Sequence, residues 1–194
     1  MTRLLVVRHG QSEWNATGRW QGRADPPLTD EGRRQSTAAT GALGSFDAVV
    51  ASPLLRAVET ATIIAERLGI GPVPTDPDLM ERDAGEWQGL TRVQIQEQWP
   101  GYLEDGRRPP GYEPDEAMLA RVRSGLDRIA GRVGDGDVLV ISHGGVVYAL
   151  EDACGEPWRR IPNLGARWFE VSGPDLTAGP RVDLVPDGTI PDLL

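Results

Sequence analysis

The sequence predicts an α/β fold: a three-layer α/β/α sandwich around a mostly parallel central sheet. Two observations carry this prediction. Short β-branched apolar runs alternate along the chain with longer, capped amphipathic stretches, the pattern of a parallel sheet covered by helices on both faces. The runs "RLLVV" and "DVLVIS" are apolar at nearly every position, as strands buried on both sides must be.

The elements follow in order. Residues 3–7 read as the first strand. Residues 29–43 read as a helix, with Thr29 as N-cap and Asp30 and Glu31 in its first turn, where the helix dipole favours acids. Residues 46–52, "FDAVVAS", form a second strand. Residues 53–69 form a helix with Pro53 in its first turn and Gly69 at its end. Leu55, Val58, Thr62 and Ala65 are expected to be its buried stripe. A shorter helix spans 91–99. Residues 101–116 are rich in Pro and Gly, which block regular structure, and would serve as a lid or specificity loop. A long amphipathic helix covers 117–133, a buried strand 137–142, and another helix 144–155. Two short late strands, "RWFEV" and "RVDLV", precede a loose tail. One domain over 1–194 is expected.

Composition narrows the function. The net charge of −9 disfavours nucleic-acid binding. No apolar run approaches the roughly 20 residues that cross a bilayer, and no secretory leader pattern opens the chain. With one cysteine, Cys154, no internal disulfide can form. A cytoplasmic protein is expected on these grounds. All 20 basic residues are arginine, so a Schiff-base lysine and a Walker-type phosphate loop are excluded.

Both histidines of the chain, His9 and His143, end an apolar strand run and are followed at once by glycine. Ligands of parallel sheets sit beyond the carboxyl ends of the strands, so both belong on the functional rim. Arg8 joins them there. Arg56 lies in the first turn after the second strand. Two imidazoles, two guanidiniums and free N–H groups at helix starts suit a dense anion, most simply a phosphoryl group. A single histidine at a strand end is more often structural; two, each before glycine and flanked by arginine, reverse that reading. Fixed cations at Arg8 and Arg56 argue against a metal site. Cys154 lies near a helix end with no phosphate loop after it and reads as a small apolar residue.

The chain resembles the histidine phosphatase superfamily, also called the phosphoglycerate mutase-like family. "RHGQSEWN" matches its signature after the first strand. "QGRADPPLTDEGRRQ", "ASPLLRAVETA", "ERDAGEWQG" and "ISHGG" match the later segments in order, covering the chain from Arg3 to about Leu150. The resemblance implies a phosphoglycerate mutase-like sandwich with no metal and no other cofactor. It also implies the roles. His9 would be the nucleophile of a phosphohistidine intermediate, and a backbone carbonyl near Gly10 would orient it. Arg8, Arg56 and His143 would hold the phosphoryl oxygens. Asn15 and the Gly144 N–H would add neutral donors, with Gly10 and Gly144 kept small for close approach. Gln21 and Gly22 would contact substrate. Glu81 would be the general acid, with Asp83 and Glu86 as weaker alternatives.

The expected partner is a small phosphorylated substrate, and a homodimer stays open. Trp14, Trp20 and Trp87 could wall the pocket, although packing explains at least two of them equally well. One or two of Arg19, Arg23, Arg82, Arg107 and Arg108 could meet a second anionic group. The short segment after Trp99 favours a phosphatase over a mutase, because the resemblance implies a longer lid in mutases. A catalytically weak phospholigand-binding module is the alternative from another class.

Overall fold

The computed structural model describes residues 1–185. Strand β1 (Thr2–Arg8) lies at the centre of a five-stranded sheet of order β2-β3-β1-β4-β5. β2 (Ala48–Ala51) and β3 (Gly136–Ser142) run parallel to it. β4 (Gly165–Ser172) and β5 (Asp175–Asp183) form an antiparallel hairpin that adds to its other side. β4 extends the expected "RWFEV" at both ends, whereas β5 starts six residues before the expected "RVDLV" and stops at Asp183, leaving Leu184 and Val185 outside it.

Side chains alternate across a strand, so each strand feeds both faces. Leu4, Val6, Val138 and Val140 face α5 (Asp115–Val133) and α6 (Gly144–Ala153). Leu5, Val7, Leu139 and Ile141 face α3 (Leu55–Leu68), with Ala39 of α2 (Asp30–Ala39) in the same cluster. This is the expected three-layer sandwich. The short helices α1 (Glu13–Ala16) and α4 (Arg92–Gln98) lie in the connections. No helix of the described residues is long and apolar enough to cross a membrane.

Local chemistry agrees with the predicted caps. Thr29 Oγ1 accepts the Gly32 N–H at 3.0 Å, and Gly69 ends α3 with φ of 69°. Thr91 caps α4 through a capping box with Gln94. Several boundaries move. α2 ends at Ala39 and gives way to a 3₁₀ turn, and α5 starts at Asp115 rather than 117. The loop before α5 thus runs over 99–114, two residues earlier than the 101–116 expected, and it is not structureless: Tyr112 bridges to Ala84. The expected tail lies outside the described residues.

The predicted stripe on α3 needs correction. Leu55 is 45% exposed, Thr62 is exposed, and Val58 is half-buried. The buried face is Arg56, Ala57, Thr60, Ala61, Ile64 and Ala65. Its alanines let α3 lie close on the sheet. The first turn sends Arg56 inward, so Leu55 must point out. An arginine inside the buried face is what hydrophobic periodicity cannot anticipate.

Candidate active site

Sheet register brings the two histidines together. Arg8 of β1 lies opposite Ser142 of β3, so His9 and His143 are the next residues off neighbouring strand ends. The His9 N–H donates to the Ser142 carbonyl at 3.0 Å, and the two rings meet edge-on with centroids 5.2 Å apart.

A hydrogen bond orients each ring, and for His9 it also fixes the tautomer. His9 Nδ1 lies 2.6 Å from the Gly10 carbonyl, which can only accept. Nδ1 therefore carries the proton and Nε2 the lone pair. Arg56 Nε donates to that lone pair at 3.2 Å. On the other ring, Nε2 lies 2.8 Å from Ser52 Oγ, while the Leu54 N–H donates to the same hydroxyl. The hydroxyl can donate to a bare Nε2 or accept from an Nε2–H, so this contact fixes the ring's orientation and not the position of its proton. The other ring nitrogen, His143 Nδ1, is buried and has no partner among the described residues.

Burial and charge hold both rings neutral. Desolvation pushes each imidazole well below its ordinary value of 6.5. Arg56 and Arg8 add to the effect at His9, and Arg56 and His9 add to it at His143. The Arg56 guanidinium is fully buried, and desolvation lowers it to about 10, so it remains charged at neutral pH. Its two terminal nitrogens donate to the carbonyls of Ala24 (2.7 Å) and Gly22 (2.9 Å). Arg8 donates to the Ile161 carbonyl at 2.7 Å and is likewise lowered by burial.

Glu81 stands at the N-terminus of α6. Its carboxylate accepts the N–H of Arg82 at 2.7 Å and of Gly145 at 3.1 Å. Glycine at 145 is essential to this approach, since a Cβ there would lie 2.1 Å from Glu81 Oε1. Steric need therefore falls on the second glycine of "ISHGG". At Gly144, expected with Gly10 to stay small for close approach of the phosphoryl group, a Cβ would meet only ordinary protein contacts at 3.6 Å and beyond. At Gly10 a Cβ would lie 2.6 Å from the carbonyl of Gly32 on α2, so the packing of the protein itself demands glycine there. Replacing Gly145 with alanine should displace the flexible carboxyl end of Glu81 and spare the fold. Turnover of alkyl phosphates is expected to fall about a hundredfold, the loss typical of a misplaced reacting group, with the melting temperature little changed. Unchanged turnover would show that Glu81 does no work at this position.

A cavity of about 480 Å³ opens over these groups. Arg8, His9, Gln21, Gly22, Arg56, Glu81 and Gly144 all line it. Three predicted residues do not. His143 lies behind His9, and Gly10 holds the His9 ring. Asn15 closes the capping box of α1, and its Nδ2 is buried without a partner among the described residues. Asp83 and Glu86, the alternative acids, are absent from the lining. The Asp83 carboxylate accepts from the Gly85 N–H, and Glu86 is exposed.

Of the three tryptophans, Trp20 lines the cavity, Trp87 is fully buried beneath it, and Trp14 packs over Gly89. Of the five arginines, Arg82 and Arg108 line it. Arg19 donates to the Gly89 carbonyl, Arg23 pairs with Glu113, and Arg107 pairs with Asp105.

Sequence reasoning missed part of the wall. Tyr112, Tyr148, Trp158 and Arg160 all line the cavity. Asn163 is fully buried and donates to the His9 carbonyl at 2.9 Å and to Asn15 Oδ1 at 3.2 Å. The next residue, Leu164, takes φ of 57° and donates its N–H to the Arg8 carbonyl, which turns Asn163 back toward the site. Tyr112 falls in the segment expected to form the lid; for Trp158, Arg160 and Asn163 the hint was "PWRRIPN", an aromatic beside paired arginines just after the second-histidine helix.

A sandwich of this topology, with a histidine at each of two adjacent strand ends, has the architecture of the phosphoglycerate mutase-like proteins. The chain belongs to the histidine phosphatase superfamily (branch 1), whose family profile matches residues 4–173. The match extends well beyond the motifs that carry the resemblance.

A bifunctional protein of Mycobacterium tuberculosis is 44% identical over 150 residues, covering 73% of this chain but only 41% of the relative. The chain thus spans about two fifths of the length of that relative. The glucosyl-3-phosphoglycerate phosphatase of M. tuberculosis is 36% identical over 191 residues, covering 88% of this chain and 85% of the relative. A solved mycobacterial glucosyl-3-phosphoglycerate phosphatase in complex with VO3 superposes with a TM-score of 0.81 at 29% identity. That match covers 91% of this chain and 96% of the other.

Proposed function

We propose that this protein is a phosphomonoesterase that hydrolyses a small phosphorylated metabolite through a phosphohistidine on His9. One observation carries the reading. The Gly10 carbonyl holds the proton of His9 on Nδ1, so a neutral ring offers its Nε2 lone pair beside the Arg56 guanidinium, with Glu81 lining the same cavity. A nucleophile, cationic oxygen-binding groups and a proton source then surround one phosphoryl position.

The chemistry has two steps. Nε2 attacks phosphorus while the bond to the ester oxygen breaks, and Glu81 gives that oxygen its proton. Arg8 and Arg56, which line the cavity, gather the charge on the equatorial oxygens. Water then attacks the phosphohistidine, the Glu81 carboxylate takes the proton of the water, and inorganic phosphate leaves with His9 restored. Arg56 must exchange its bond to Nε2 for a phosphoryl oxygen when substrate enters, which frees the lone pair only in the loaded site.

Beyond the phosphoryl end the cavity is walled by Trp20, Tyr112, Tyr148 and Trp158, with Arg108 near the rings of Trp87 and Tyr112. These suit a compact polar ester, and the named glucosyl-3-phosphoglycerate phosphatases support a phosphoglycerate-type substrate. Assay of a panel of phosphorylated metabolites, including phosphoglycerates and their glucosylated forms, with EDTA present tests the reading. Release of inorganic phosphate undiminished by EDTA is expected. Phosphate moved between hydroxyls without release would identify a mutase. Tight binding with no release would identify a binding module.

A further inference from the structure

We infer that Arg121, which lies outside the cavity, is the positioning residue for the acid Glu81; this rests on the phosphatase reading above. Glu81 sits in residues 80–83, a stretch with no helix or strand to hold it. Backbone groups in such a segment need partners from elsewhere. One guanidinium supplies them. Arg121 of α5 donates through Nη1 to the carbonyls of Asp78 (2.8 Å) and Met80 (2.7 Å), and through Nη2 to that of Glu81 itself (3.2 Å).

The guanidinium is itself oriented. Its Nε and Nη2 form a two-pronged pair with Glu113, both contacts at 2.7 Å, and both side chains are largely buried. Glu113 closes the ring from the other side. Its backbone N–H donates to the Asp83 carbonyl at 3.0 Å, and its carboxylate accepts the Asp83 N–H at 3.3 Å and Arg23 Nη2 at 3.2 Å. The Arg121–Glu113 pair therefore encircles residues 78–83. From the backbone held in this way the Glu81 carboxylate reaches the Gly145 N–H at 3.1 Å. A lysine could neutralise Glu113 but has no planar fork with which to hold the carboxylate and three carbonyls together.

The predicted signature is kinetic. A displaced acid should hurt in proportion to how badly the departing oxygen needs a proton. The test uses aryl phosphates graded from p-nitrophenyl to phenyl to p-methoxyphenyl, with kcat/KM measured for wild type, R121K, R121M and E113Q. For R121M a loss of about ten- to a hundredfold is expected on the phenyl and methoxyphenyl esters, the scale of a roughly 1 Å misplacement. The p-nitrophenyl ester should change far less, so the dependence on leaving-group basicity steepens. R121K should fall between wild type and R121M. E113Q, which disturbs the clamp least, carries the same test if R121M does not fold, and should steepen the dependence in the same direction.

Equal losses on all esters, following the folded fraction measured by circular dichroism, would overturn the inference and leave Arg121 a purely structural residue. Wild type inactive on every ester would instead overturn the phosphatase reading itself.

Discussion

Replacing His9 with alanine should lower turnover by at least about 10⁴-fold, the scale on which enzymes that react through a covalent intermediate lose rate without their nucleophile. Phosphate should still bind, because Arg8 and Arg56 remain in the cavity lining. Wild type quenched during turnover should carry a label that is acid-labile and base-stable, as phosphohistidine is, and the variant should carry none. A variant that kept most of its activity would remove the covalent mechanism.

The pH profile offers an independent check. Burial, with Arg56 and Arg8, holds His9 well below 6.5. A depressed value means that the ring is already neutral at pH 6.5 and gains its proton only in more acidic solution. After correction for ionisation of the substrate, phosphoenzyme formation should stay level as pH falls through 6.5 and decline only below it. A midpoint at or above 6.5 would show His9 titrating like an exposed imidazole.

Glu81→Gln is expected to cost about 10²- to 10⁴-fold on alkyl phosphates, the usual worth of general acid catalysis. An alkyl ester leaves as a strongly basic alkoxide, whereas p-nitrophenolate is stable without a proton. Formation of the phosphoenzyme from p-nitrophenyl phosphate should therefore change little. Its hydrolysis should slow, because the same carboxylate activates the water. The measurable result is a burst of nitrophenol followed by slow release of phosphate. The substitution also sets an amide N–H₂ against one of two backbone donors, since both Glu81 oxygens accept N–H groups from Arg82 and Gly145. The G145A variant separates the effects, because it moves the carboxyl group without changing its chemistry. Equal losses on both ester types with no burst would take Glu81 out of the acid role. Neither Asp83 nor Glu86 stands in the cavity to replace it.

Much of this site was legible along the chain. His9 and His143 could be placed on one rim because a strand end is a local event, marked by a β-branched run and then glycine. Arg8 and Glu81 came with their motifs. Thr29 and Gly69 were readable as helix ends because capping uses neighbours three or four residues away. The buried face of α3 was not, since Arg56 occupies it for the sake of His9 and two carbonyls in another loop.

Legible before folding, then, were the sandwich, the rim and the chemical types gathered there, all of them written in periodicity and short-range turn chemistry. Folding settled which atom of each group faces which. The His143 ring is held by Ser52, 91 positions away; the His9 carbonyl is held by Asn163, 154 positions away; and the backbone around Glu81 is held by Arg121, some 40 positions on. Such contacts carry no periodic trace. They arise because buried polar groups must find partners wherever the packed chain brings them, and packing, unlike pattern, is a property of the whole chain.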